Sequence, residues 1–105
     1  MEGRLGGLFK DGEQIGGLLD WKFEVILADT PYDDVKFKFA KWRLEAPAYW
    51  LFSEPDIVIV RLYVGKVYWE GEGRIITRIQ DVFDTMVYEH IEIIGEGQVE
   101  EKRGR

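Results

Sequence analysis

A chain of 105 residues has room for one ordinary domain. Its 46% hydrophobic content, with 14% aromatic, can build a core and excludes a disordered chain. Fourteen Lys and Arg against 20 Asp and Glu leave a net charge of −6, which excludes a protein whose main task is gripping nucleic-acid phosphates. The absence of cysteine removes disulfide scaffolds, thiol nucleophiles and cysteine-ligated zinc together. No signal-peptide pattern occurs and no apolar run approaches the roughly 18 residues of a membrane span, so a soluble protein without a membrane role is expected. There is no asparagine, only one serine, and 32% of residues are charged. That bias fits a thermophilic protein, although a chain this short also reaches it by drift.

The first element is a hairpin over Leu8 to Ile15, where Asp11-Gly12 stands between short apolar stretches and supplies the two positive-φ positions a tight turn needs. Gly6-Gly7 and Gly16-Gly17 bracket it. From Leu18 to Ala28, Trp21, Phe23, Val25 and Leu27 alternate with Lys22, Glu24, Ile26 and Ala28, a strand with one wholly apolar face. Residues 29–46 admit two readings. Thr30-Pro31-Tyr32-Asp33 has the form of a helix start, and Tyr32, Val35, Phe39, Trp42 and Ala46 recur at helical spacing. Val35, Phe37 and Phe39 also alternate with Lys36 and Lys38, and aromatic residues favour strands. The preferred reading is a strand over 35–46 whose apolar parity is restored by a β-bulge near Ala40-Lys41.

Ala46-Pro47-Ala48 and Ser53-Glu54-Pro55-Asp56 read as breaks, with Tyr49 to Phe52 a short apolar segment between them. Ile57 to Val64 is the clearest strand: Val58, Val60, Leu62 and Val64 form one apolar face, while Arg61 breaks the other. Gly65-Lys66 is a bulge or short turn, and Val67-Tyr68-Trp69 resumes the extended pattern. Beyond Glu70-Gly71-Glu72-Gly73, Arg74 to Val82 alternates again, Asp81 to Thr85 reads as a connection, and Met86 to Ile94 is the last long strand. The expected fold is all-β with at most one short helix, an antiparallel β-sandwich or barrel of six to seven strands. Residues 1–98 form its single domain and residues 99–105 a charged, flexible tail.

The residues that could carry chemistry are few. His90 is the one histidine, and Ser53 the one serine, beside Glu54-Pro55 in a turn context. A lone strand histidine is far more often a surface or packed residue than a catalyst, so no enzyme is expected. Asp33-Asp34, Asp81 with Asp84, and Glu70 with Glu72 match no Ca²⁺ loop and read as solvated surface. The glycine pairs 71/73 and 95/97 open no helix after a strand and therefore build no phosphate cradle. No metal or cofactor is expected. Of the four tryptophans, Trp21 is core by pattern, whereas Trp50 in Ala48-Tyr49-Trp50-Leu51-Phe52 marks a candidate exposed apolar patch. Such a patch more often meets a protein than a small ligand.

Two stretches together resemble the phage tail tube family, small β proteins that stack as hexameric rings. The first is Gly7-Leu8-Phe9-Lys10-Asp11-Gly12-Glu13-Gln14-Ile15-Gly16-Gly17 with Leu19-Asp20-Trp21, similar to the family's opening hairpin and tryptophan-bearing strand. The second runs from Tyr68-Trp69-Glu70-Gly71-Glu72-Gly73 through Arg74-Ile75-Ile76-Thr77-Arg78-Ile79 to Glu92-Ile93-Ile94-Gly95-Glu96-Gly97, similar to the closing hairpin. Residues 29–56 align with nothing in the family. The resemblance implies a non-enzymatic virion protein, assembled in the host cytoplasm into stacked homo-hexameric rings with other tail proteins. It also implies that DNA passes through the lumen as non-specific cargo.

An acidic wall suits that task, because a lumen that attracted phosphates would hold the DNA back. On this resemblance Trp42, Tyr49, Trp50 and Phe52 are the candidate contacts between copies, and Glu70, Glu72, Asp81 and Glu96 the acidic lumen or rim. Neighbouring copies would then also pair the open edges of the sheet. Two alternatives stand beside it. One is a related tail completion or baseplate protein; the other is a monomeric carbohydrate- or peptide-binding sandwich that uses Trp50 and Trp42 as a platform.

Overall fold

The computed structural model of the chain describes residues 1–29, 39–52, 54–83, 86–97 and 100–103. Seven strands follow one another: β1 (Glu2–Lys10), β2 (Glu13–Asp29), β3 (Phe39–Trp50), β4 (Ile57–Val64), β5 (Val67–Phe83), β6 (Met86–Gly97) and β7 (Glu100–Arg103). Their order is β4-β1-β2-β3-β6-β5-β7, and β4 also pairs with β5, so six strands close into an antiparallel ring with β7 added outside it on β5. Closure pairs within one chain the sheet edges that were expected to be covered by neighbouring copies. No helix occurs among the described residues, and residues 30–38, where the helical alternative began, lie outside them.

The turns follow the expected chemistry. Asp11 and Gly12 take φ of 52° and 80° between the paired Lys10 and Glu13, the backbone that an Asp-Gly turn supplies. Gly65 takes φ of 62° and opens a two-residue turn between the paired Val64 and Val67, not a bulge. Bulges then set which side chains face inward. Opposite β3 the pairing jumps from Leu18↔Ala48 to Lys22↔Glu45, with Asp20 at φ 42°, so that both Leu18 and Trp21 are buried. Pro47 faces that interrupted stretch, where a missing N–H costs no ladder bond, and β3 therefore runs unbroken through the expected break.

A second jump, between Val25↔Trp42 and Leu27↔Lys41, places the extra residue at Ile26 on β2 rather than near Ala40-Lys41 on β3. The partner strand absorbs the parity change. β5 likewise passes through Gly71 and Gly73 without a break, pairing with β4 up to Arg74 and with β6 from Arg74 onward. It continues to Phe83 across part of the expected connection. Residues Glu100–Arg103, expected as a flexible tail, pair with Val67–Glu70.

The interior is filled, with Trp21 and Trp42 its largest fully buried side chains. Their rings lie over glycines on the neighbouring strands. Gly3 pairs with Trp21 and Gly95 with Trp42, and a methyl group on either glycine would stand 2.2 Å from the indole. Gly73, across from Val58, gives the same Trp42 ring its second free side. Trp50 and Trp69 pack against the core partly buried. The space between Phe23, Trp42, Val60, Leu62, Trp69 and Gly71 is about 10 Å³, room for a single water at most. The barrel is a packed solid with no ligand chamber there.

Candidate functional site

Where β3 passes to β4, the barrel is closed by polar groups on the inner face of the β5–β6 arm. The bulge between Ile75 and Thr77 turns Arg78 to the side of the buried Ile91, its cross-strand partner. From there the Arg78 guanidinium donates to the carbonyls of Pro55 at 2.7 Å and Glu54 at 3.3 Å, fastening the β3–β4 connection to the arm. It also lies 5.3 Å from the Trp50 ring centre and 3.4 Å from a Glu89 oxygen. Glu89 accepts a 2.6 Å hydrogen bond from the Trp50 indole N–H. The neighbouring Glu89 carboxyl, with some loss of hydration, holds the Glu54 carboxyl above the usual Glu value against the pull of Arg78.

On the outer face, Arg61 lies over the rings of Phe9 at 4.2 Å and Tyr68 at 4.9 Å, and donates to Glu70 at 2.7 Å. Lys102 of β7 donates to the other Glu70 oxygen at 2.8 Å. Burial pushes the Glu70 carboxyl up, but these two donors outweigh it and hold the group below the ordinary Glu value. On β3, Arg43 bridges Glu45 and Glu92.

The candidate contacts between copies therefore divide. Trp42 is 2% exposed and belongs to the core, so it offers no surface to a neighbour or to a ligand. Tyr49 is half-buried, its ring laid over Gly17 on the adjacent strand. Trp50 is held by Glu89 and Arg78, and Phe52 stands free with 66% of its surface exposed. Of the acidic candidates, Glu70 is an anchor for β7 within the chain. Glu72 and Glu96 both border an open depression of about 270 Å³ where β6 leaves β5. Glu96 also pairs loosely with Lys41 at 3.7 Å. Asp81 pairs with Tyr88 in the β5–β6 arm, and its side chain lies outside the described residues.

Sequence reasoning did not single out Arg78, Glu89 or Glu54. An Arg among alternating apolar residues reads as the solvent face, and only the bulge at Ile76 turns it inward. Apolar side chains remain uncovered at both ends of the barrel. Leu51 and Phe52 are 56% and 66% exposed beside the connection into β4, with Ile79 on the adjacent arm at 58%. Ile26 on β2 and Val64 at the β4–β5 turn are exposed toward the opposite end. No His, Cys, Asp and Glu group suited to a metal ion occurs among the described residues. No protein-family model, no curated protein and no solved structure matches the chain.

Proposed function

We propose that this chain is a non-enzymatic structural subunit that assembles with copies of itself into stacked rings, forming a phage tail conduit for DNA. One observation carries the reading: a solid barrel leaves Leu51, Phe52 and Ile79 exposed toward one end and Ile26 and Val64 toward the other. Different apolar surfaces at opposite ends suit head-to-tail stacking, in which one end of a subunit meets the other end of the next. Because the ring pairs most strand edges within the chain, leaving β7 and the β5–β6 arm as edges, copies would join chiefly through side chains. The passage for DNA would lie between subunits, since the barrel interior is packed. The phage assignment itself rests on the resemblance of the two hairpins.

The test is sedimentation velocity with negative-stain microscopy over a concentration series, on the wild type and on Phe52→Asp. Rings or tubes are expected from the wild type, and a monomer from the variant with its thermal unfolding unchanged. A wild-type chain that stays monomeric throughout would overturn the reading. The binding-module alternative has lost half its platform, because Trp42 is buried.

A further inference from the structure

The β3–β4 connection is tied to the barrel by backbone at both of its ends. The Leu51 N–H donates to the Ile15 carbonyl on β2, and the Ile75 N–H on β5 donates to the Asp56 carbonyl, each at 2.8 Å. Between those ties a single side-chain nitrogen, Nη2 of Arg78, donates to the carbonyls of Glu54 at 3.3 Å and Pro55 at 2.7 Å. The other terminal nitrogen faces Glu89 on β6 at 3.4 Å, and the guanidinium lies 5.3 Å from the centre of the Trp50 ring on β3. Glu89 in turn accepts the Trp50 indole N–H at 2.6 Å. Groups on β3 and β6 therefore fix the guanidinium where it reaches the connection. A planar fork suits this place, because one nitrogen serves the connection while the other faces β6 and the flat group lies beside an indole. An ammonium is a point charge and cannot serve all three. Leu51 and Phe52, 56% and 66% exposed, stand between the first tie and the carbonyls that Arg78 holds. Apolar side chains held still before contact lose less freedom on docking, which favours association.

We propose that Arg78 is the positioning residue of this end of the barrel: it braces the β3–β4 connection in the shape in which a second copy docks on Leu51 and Phe52. Arg78 acts through the connection and not as a contact. The second copy docks with its opposite end, where Ile26 and Val64 offer the apolar counterpart. The docking role rests on the function proposed above; the brace itself does not.

The test compares the full-length wild type with Arg78→Lys by amide hydrogen exchange and by sedimentation velocity. The reporters are the Leu51 and Ile75 amides, whose bonds tie the two ends of the connection, with the amides of β4 as an internal reference. In Arg78→Lys the two reporters are expected to exchange severalfold faster while β4 and the urea midpoint change little, and association weakens severalfold. Phe52→Asp, which removes a contact and leaves the brace, is expected to weaken association with both reporters as protected as in the wild type. Glu89→Gln keeps an acceptor for the indole but withdraws the charge that faces Arg78, so it should repeat the Arg78→Lys pattern more weakly. It serves as the second variant should Arg78→Lys not fold. Unchanged exchange at Leu51 and Ile75, or faster exchange with undiminished association, overturns the proposal. A wild type that stays monomeric overturns the assembly reading and with it the docking role, while faster exchange at the two reporters leaves the brace standing.

Discussion

At Gly95 and Gly3 an added methyl group would stand 2.2 Å from an indole, closer than any real side-chain contact. Each glycine faces its tryptophan directly across a strand pair, so the ring lies flat on bare backbone and fills the barrel without a void. Gly95→Ala should therefore cost about 2 kcal/mol by overpacking, read as a lower urea midpoint at an unchanged slope. Combined with Trp42→Leu, which removes the obstructing ring, the same change should cost much less than the two single effects summed. Glu70 makes a pH-dependent contribution at this scale. Its value is held down by Lys102 and Arg61, so its stabilising effect is present above the ordinary Glu value and lost as pH falls through the lower folded one. Glu70→Gln should flatten the acid limb of the stability profile.

At the scale of elements, bulges decide the barrel. Asp20 holds a positive φ at the point where β2 changes phase, which lets Leu18 and Trp21 both face inward. Asp20→Gly relieves that conformation and should leave thermal stability unchanged or raised, by up to about 1 kcal/mol, whereas Asp20→Val should lower it by more. β7 is the element the ring does not need. Among the described residues it pairs with β5 alone, and Lys102–Glu70 ties the two strands by side chains. Removing residues 100–105 should preserve the β circular dichroism and the cooperative melt, while amide exchange quickens selectively at Val67–Glu70. The alternation of Val58, Val60 and Leu62 was legible in the sequence because β4 contains no bulge. Trp21 with Phe23 on β2, and Trp42, Leu44 and Ala46 on β3, were likewise legible as shared faces and are buried, but the points where β2 and β5 change phase were not. An extra residue leaves its mark only in the register against a partner strand, as the placement of Ile26 shows.

For the whole molecule, closure and charge act in opposite directions on association. A ring of six strands has its edges paired internally, and with a net charge of −6 its copies repel one another. Association through the exposed Leu51 and Phe52 must overcome that repulsion. Raising salt from low to physiological ionic strength should then strengthen it, because screening weakens repulsion between exposed charges while apolar burial is untouched. Sedimentation velocity at two salt concentrations checks the direction. Weaker association at the higher salt would mean that ion pairs, not apolar contacts, join the copies.

Composition and short-range pattern fixed the class of this protein: an all-β chain with an Asp-Gly hairpin, a Trp21 core and little catalytic inventory. Those properties depend on neighbours in the chain, whose backbone preferences and alternation the sequence states directly. Tertiary structure alone decided that β4 meets β5 to close the ring. It also sent Trp42 inward over Gly95 and gathered Arg78, Glu89 and Glu54 at one end. Those outcomes depend on register between strands far apart in sequence, where one inserted residue reverses which face every later side chain occupies.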